Sequence, residues 1–192
     1  MLRQRDDTAW LQRGRQRAAV ARVMRKPMTG TEICAAARVF NSHIQLRDVW
    51  HLLRQMEQRR LVQCFNPRMV TGRLYSLTPQ GRAAVQKAFS ISIPQPPANI
   101  DWRKYSQVVR AKIRRLTLIS LSRLEEKTGS PQTATAIRKN LERSVLLNLV
   151  IRAIKDLLKL GLLQVAGVTE KRQWKLYRLT RMGRRVLKQL QQ

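Results

Sequence analysis

The chain has 192 residues, 43% hydrophobic but only 5% aromatic, and its 39 Lys and Arg against 11 Asp and Glu give a formal net charge of +28. That aliphatic content excludes a disordered polar chain, and the longest apolar runs, 116–121 and 145–151, fall far short of the roughly 20 residues a membrane helix needs. Cys34 and Cys64, with only His43 and His51, offer neither a disulfide framework nor a metal-ligand spacing, so no cofactor is expected and both thiols read as buried small hydrophobes of a reducing compartment.

Residues 1–100 hold 17 basic and 5 acidic side chains and the remainder 22 and 6, so both halves are basic. Such a field repels itself unless a polyanion shares it, which points to DNA or RNA as partner. The N-terminal stretch MLRQRDDTAWLQRGRQR is charged throughout, which excludes a signal peptide and predicts a soluble cytoplasmic protein. Its Arg3, Arg5, Arg13, Arg15 and Arg17 could form a phosphate-binding arm, or stay solvated.

In chain order, a first helix is predicted from about Trp10 to Arg25. Pro27 and Gly30 break it, and Thr31 is placed to cap a short second helix with Glu32 in its first turn. A third helix within 41–62 buries Val49, Leu53 and Met56. Leu61 to Phe65 and Arg73 to Leu77 then read as a two-stranded hairpin, with Asn66, Pro67 and Gly72 in its loop. Thr78 followed by Pro79 marks a helix start. The segment 89–101, with Pro94, Pro96 and Pro97, cannot continue a helix and reads as a semi-rigid linker. Beyond it the order repeats: a long helix from about residue 102, a break at TGSPQ, the short helix TATAIRKNL, a long helix within 144–160, strands LLQVAG and WKLYRLT, and a closing helix. Between 74–82 and 176–184 six of nine residues are identical. The expected organisation is a first domain over 1–88, the linker over 89–101 and a second domain over 102–192, mainly α with small β-hairpins (α+β).

The phrases LYSLTPQGR and LRQMEQRRLVQCFNP resemble the wing, closing helix and recognition-helix end of winged helix-turn-helix regulators, with a MarR-like wing and closing helix. The resemblance covers about 10–88 and 103–190 and implies two tandem winged domains in one prokaryotic, DNA-binding chain. A recognition helix must bury one face and free another for the major groove. Arg47, His51, Arg54 and Gln58 lie on one helical stripe, flanked by Gln45 and Trp50, which could reach a sugar or a thymine methyl. An offset of 101, which aligns Leu61 with Leu162, carries the stripe onto Asn148, Arg152, Lys155 and Lys159. Arg suits guanine, Asn suits adenine, and Lys, Arg or Gln can hold phosphates. A solvated polar face on a core-packed helix would carry the same stripe. Arg68 and Arg73 in the first wing, and Lys171, Arg172 and Lys175 in the second, could follow the backbone or enter a minor groove. Trp174 is expected to pack on its hairpin.

The second long helix is greasier than the first, because Leu146, Leu147, Leu149 and Ile151 add to an expected core of Val150, Ala153, Ile154 and Leu157. Part of it should therefore pack against the first domain or a second subunit. The function expected is sequence-specific binding of double-stranded DNA in transcriptional regulation. A plasmid-replication or mobile-element accessory protein and a non-specific structural nucleic-acid protein remain open alternatives. No Gly-rich phosphate loop, paired carboxylates or nucleophile set argues for an enzyme.

Overall fold

In a computed structural model, residues 6–141, 144–170 and 173–191 are described, and the chain divides into two units, Met1–Ala98 and Asn99–Gln192. The class is α+β: in each unit, helices surround a small three-stranded antiparallel sheet with the strand order first-third-second.

The first unit begins with α1 (Asp7–Gln12) and α2 (Arg15–Val23), not with one helix over 10–25. Gly14 marks the break: its extended backbone, φ −117° and ψ 110°, is non-helical and makes it the N-cap of α2. Next come β1 (Met28–Thr29) and α3 (Gly30–Ala37). The cap of α3 is Thr29, not Thr31. Thr29 accepts the Glu32 N–H at 3.2 Å, while the Glu32 carboxylate accepts the Thr29 N–H at 2.8 Å, a reciprocal box that needs Glu three residues after the hydroxyl. Helix α4 (Leu46–Gln58) turns Val49, Leu52, Leu53 and Met56 into the core. It ends on Arg60 at φ +59°, with Arg60 and Leu61 donating back to the carbonyls of Glu57 and Met56 at 2.8 and 2.9 Å.

Strands β2 (Val62–Cys64) and β3 (Leu74–Leu77) follow, and β1 pairs with the other side of β3, Met28 opposite Tyr75, so the expected hairpin is one side of a three-stranded sheet. The loop between β2 and β3 is closed by one buried side chain. Asn66 accepts the Leu74 N–H at 2.7 Å and donates to the Gly72 carbonyl at 3.0 Å.

Thr78 caps α5 (Pro79–Phe89) by accepting the Gly81 N–H at 3.0 Å, and its hydroxyl donates to the Arg60 carbonyl at 2.6 Å. Gly81 is required by close approach, since a Cβ there would lie 1.9 Å from the Leu61 carbonyl oxygen. The Asp7 carboxylate ties three helices together, pairing with Arg59 at 3.0 Å beyond α4 and accepting from Gln80 of α5 at 2.9 Å. Cys34 is buried; Cys64, expected to be the same, is only half-buried because β2 ends there. Ile91 and Ile93 of the proline-rich segment pack on the core of this unit.

The second unit is α6 (Trp102–Val109), α7 (Lys112–Thr128), β4 (Gln132–Thr133), α8 (Ala134–Lys139), α9 (Leu147–Lys159), β5 (Leu163–Val168), β6 (Lys175–Leu179) and α10 (Arg181–Gln191). The single long helix expected at its start is two, because Ala111 takes an extended backbone. Here Gly161, at φ +66°, ends α9 as Arg60 ends α4, and Thr180 donates to its carbonyl at 2.8 Å. A Cβ on Gly183 would lie 2.1 Å from the Leu162 carbonyl oxygen. Strand β5 carries a bulge between Val165 and Gly167, whose partners on β6 are Tyr177 and Leu176.

Two substitutions test these constraints. Gly81→Ala should cost at least about 2 kcal/mol in denaturant unfolding, because its contact is backbone that cannot swing away. Asn66→Ala should cost about 1–3 kcal/mol, the penalty for leaving the buried Leu74 N–H and Gly72 carbonyl without their partner, with faster amide exchange confined to 65–74.

Candidate nucleic-acid interface

An amphipathic helix at period 3.6 that buries one stripe must present the other. In α4, Val49, Leu52, Leu53 and Met56 are buried, and Arg47, His51, Arg54 and Gln58 are all exposed. His51 is steadied by a 2.8 Å hydrogen bond with Gln55 one turn on. Asp48 accepts the Gln45 N–H at 2.9 Å, which places the exposed Gln45 at the start of the helix. Arg47 lies 3.8 Å from Asp48, an exposed pair worth little in water.

Trp50 does more than flank this stripe. Its ring packs over the backbone of Gly30, where a Cβ would meet it at 2.5 Å, and stands edge-on to Tyr75 with centroids 5.9 Å apart. It thereby joins α4 to α3 and to the wing strand β3 while keeping 41% of its surface exposed.

Between α4 and the wing loop runs a groove lined by Trp50, Arg54, Glu57, Thr71, Arg73 and Tyr75, with a volume of about 440 Å³. Arg73 donates through Nε to the Met69 carbonyl at 3.0 Å, so its stem is fixed by the loop it belongs to. Arg68 is exposed in the same loop. Glu57 is the carboxylate in this basic setting. Burial raises its pKa above the usual value and Arg73 pulls it partly back. Burial likewise raises the Cys64 thiol and the Tyr75 phenol, keeping both neutral at pH 7.

A second cluster sits on the other flank of α4. The guanidinium carbons of Arg17 and Arg59 each lie 4.4 Å from the ring centroid of Trp10, and these residues line a groove of about 450 Å³ with His51, Gln55 and Gln58. From the sequence Arg17 is either part of a phosphate-binding arm or solvated, Trp10 only starts a helix and Arg59 has no role; the seven-residue spacing of Trp10 and Arg17 was a legible signal, whereas Arg59 reaches the same ring from far along the chain. Arg13 and Arg15 are exposed, and Arg3 and Arg5 lie outside the described residues.

In α9, Val150, Ala153, Ile154 and Leu157 are buried and Asn148, Arg152, Lys155 and Lys159 are exposed. Asp156, the remaining polar residue of this stretch, turns toward α7 and approaches Arg114 at 3.7 Å. Of the surplus apolar residues, Leu147 is half-buried, while Leu146 is 67% exposed, Leu149 40% and Ile151 39% within the chain. In the second wing Lys175 and Trp174 are exposed, while Lys171 and Arg172 lie outside the described residues. No group of three or more potential metal ligands occurs among the described residues, and no helix among them is long and apolar enough to cross a membrane.

No protein-family model matches the chain, and none of the curated proteins does. Among solved structures it is similar to ScpB from Mycobacterium tuberculosis at 17% identity and a TM-score of 0.30, with 94% of this chain and 96% of that one covered.

Proposed function

We propose that the chain is a sequence-specific double-stranded DNA-binding protein, a transcriptional regulator that acts by binding and not by catalysis. Its two units serve as tandem winged domains near the MarR-like branch. The observation that carries this reading is α4. Its exposed edge holds Arg47, His51, Arg54 and Gln58 while its other face fills the core, in a chain of net charge +28.

In this reading α4 enters the major groove with Arg54 and Gln58 at base edges. Arg68 and Arg73 hold the backbone, and Arg17 holds phosphate on the opposite flank, where the Asp7-paired Arg59 and Trp10 support it. Helix α9 presents Asn148, Arg152, Lys155 and Lys159 in the same way. Because the two edges differ in every residue, a site read by both units is asymmetric.

Selection of bound sequences from random DNA tests the reading. Arg54→Ala should relax preference at one base position by about 1–3 kcal/mol, and Arg152→Ala at another. Arg68→Ala should weaken binding to all sequences alike and lower the slope of log K against log salt by about one. Selected motifs unchanged in both helix variants would refute the base-reading assignment. Affinity that collapses under excess non-specific DNA at physiological salt would mean phosphate binding alone.

Glu57 gives a pH test. A carboxylate between Arg54 and Arg73 repels phosphate, so Glu57→Gln should tighten binding at pH 7. Its pKa in the folded protein is raised, so the neutral form is reached sooner as pH falls. Wild-type affinity should approach that of the variant as pH drops through that raised value, and a gap that stays constant with pH would contradict it. The sign for stability is the same: the favourable protonated state is fully present below the ordinary value of 4.5 and lost as pH rises through the raised one.

A further inference from the structure

The two wings differ in a way that nucleic-acid binding does not use. Strand β2 of the first unit is three residues long and is followed at once by the Asn66 knot and Pro67, so its outer edge is short and blocked. Strand β5 of the second unit is six residues long. The sheet order β4-β6-β5 leaves β5 with one neighbour, so among the described residues its outer backbone edge has no strand beside it. Each residue from Gln164 to Val168 is exposed, with Val165 at 48% and Val168 at 56%.

The composition of this edge is the second observation. Residues 160–169 read LGLLQVAGVT: no charge and no proline, in a chain where 26% of residues are charged. Edge strands of soluble proteins are ordinarily protected by lysine, proline or shortness, and a wing that gripped phosphates along its length would carry Lys or Arg there. This strand has no lysine, no proline and no phosphate-binding group, and its one interruption is the bulge at Ala166.

We propose that the β5 edge is the homodimer interface, pairing antiparallel with β5 of a second copy about a two-fold axis to join two three-stranded sheets into one of six strands. The backbone edge asks for an extended strand. An acidic peptide would find no counter-charge between residues 160 and 169, whereas an identical neutral strand needs none. Two chains of charge +28 meet there without placing like charges in contact. Antiparallel pairing of a strand with its own copy is self-complementary, so the contact closes at two and does not propagate. The pairing is independent of whether the chain reads DNA.

Sedimentation equilibrium of the full chain without DNA is the test. The wild type should show a monomer–dimer equilibrium above its 22.4 kDa monomer mass. Added salt should strengthen this equilibrium, because screening removes the long-range repulsion; the same salt weakens DNA binding, so failure of one reading is distinguishable from failure of the other. The double variant Val165→Lys, Val168→Lys should raise the dimer dissociation constant at least tenfold with an unchanged circular-dichroism melt. Val70→Lys at the exposed first wing should leave it unaltered. A wild type that stays at monomer mass across concentration and salt, whether its edge is open or met by another segment of the same chain, overturns the proposal. So does a Val70→Lys variant that dissociates as readily as the double variant.

Discussion

In each unit the chain leaves the helix with the exposed polar stripe through a carbonyl that the closing helix then covers. The Leu61 carbonyl accepts the Thr78 N–H at 3.0 Å and lies where a side chain at position 81 would have to begin. Leu162, Thr180 at 3.1 Å and Gly183 reproduce it. This one contact sets the end of α4, the separation of β2 from β3 and the seat of α5, and its counterpart does so for α9, β5, β6 and α10. Each polar edge is held in place from behind, because the strand-to-helix phrase fixes the axis of the helix that displays it.

The phrase, its Thr caps and the period of α4 and α9 are local patterns, and they were legible in the sequence. Val49, Leu53 and Met56 follow from spacing alone, as do Val150, Ala153, Ile154 and Leu157. Other features were hidden because they depend on partners far along the chain. Strands β1 and β4 are two residues each, too short for any alternation, and exist only because β3 and β6 offer an edge to them. The break at Ala111 has no Gly or Pro to announce it. The cap of α3 was legible but misread, since the Thr–x–x–Glu pattern begins at Thr29. At the candidate site, the exposed polar stripes follow from periodicity, whereas the Trp50–Tyr75 contact, the Asp7 tie and the Arg17–Trp10–Arg59 cluster join residues 25 to 73 positions apart, or arise across a helix break.

The units share an architecture and diverge in surface chemistry. The first encloses its wing loop with Asn66, supports α4 with an aromatic pair and surrounds it with arginine. The second keeps lysines on α9 but leaves Leu146, Leu149 and Ile151 in solvent and lengthens its wing into an uncharged strand. The two units therefore share the order of helices and strands while their exposed residues differ in charge and polarity.

The bulge in β5 carries a further meaning. From Leu61 to Leu74 the chain advances 13 positions, and from Leu162 to Leu176 it advances 14, so the second hairpin is one residue longer over the matching stretch. An uncompensated extra residue would invert every side chain beyond it, because faces alternate along a strand. The bulge absorbs Ala166 without a partner and returns Gly167 to the position opposite Leu176 that Phe65 holds opposite Leu74. The extra residue is thus taken up as a local change of twist and not as a change of face, so the longer second hairpin keeps its anchor to the closing helix in phase.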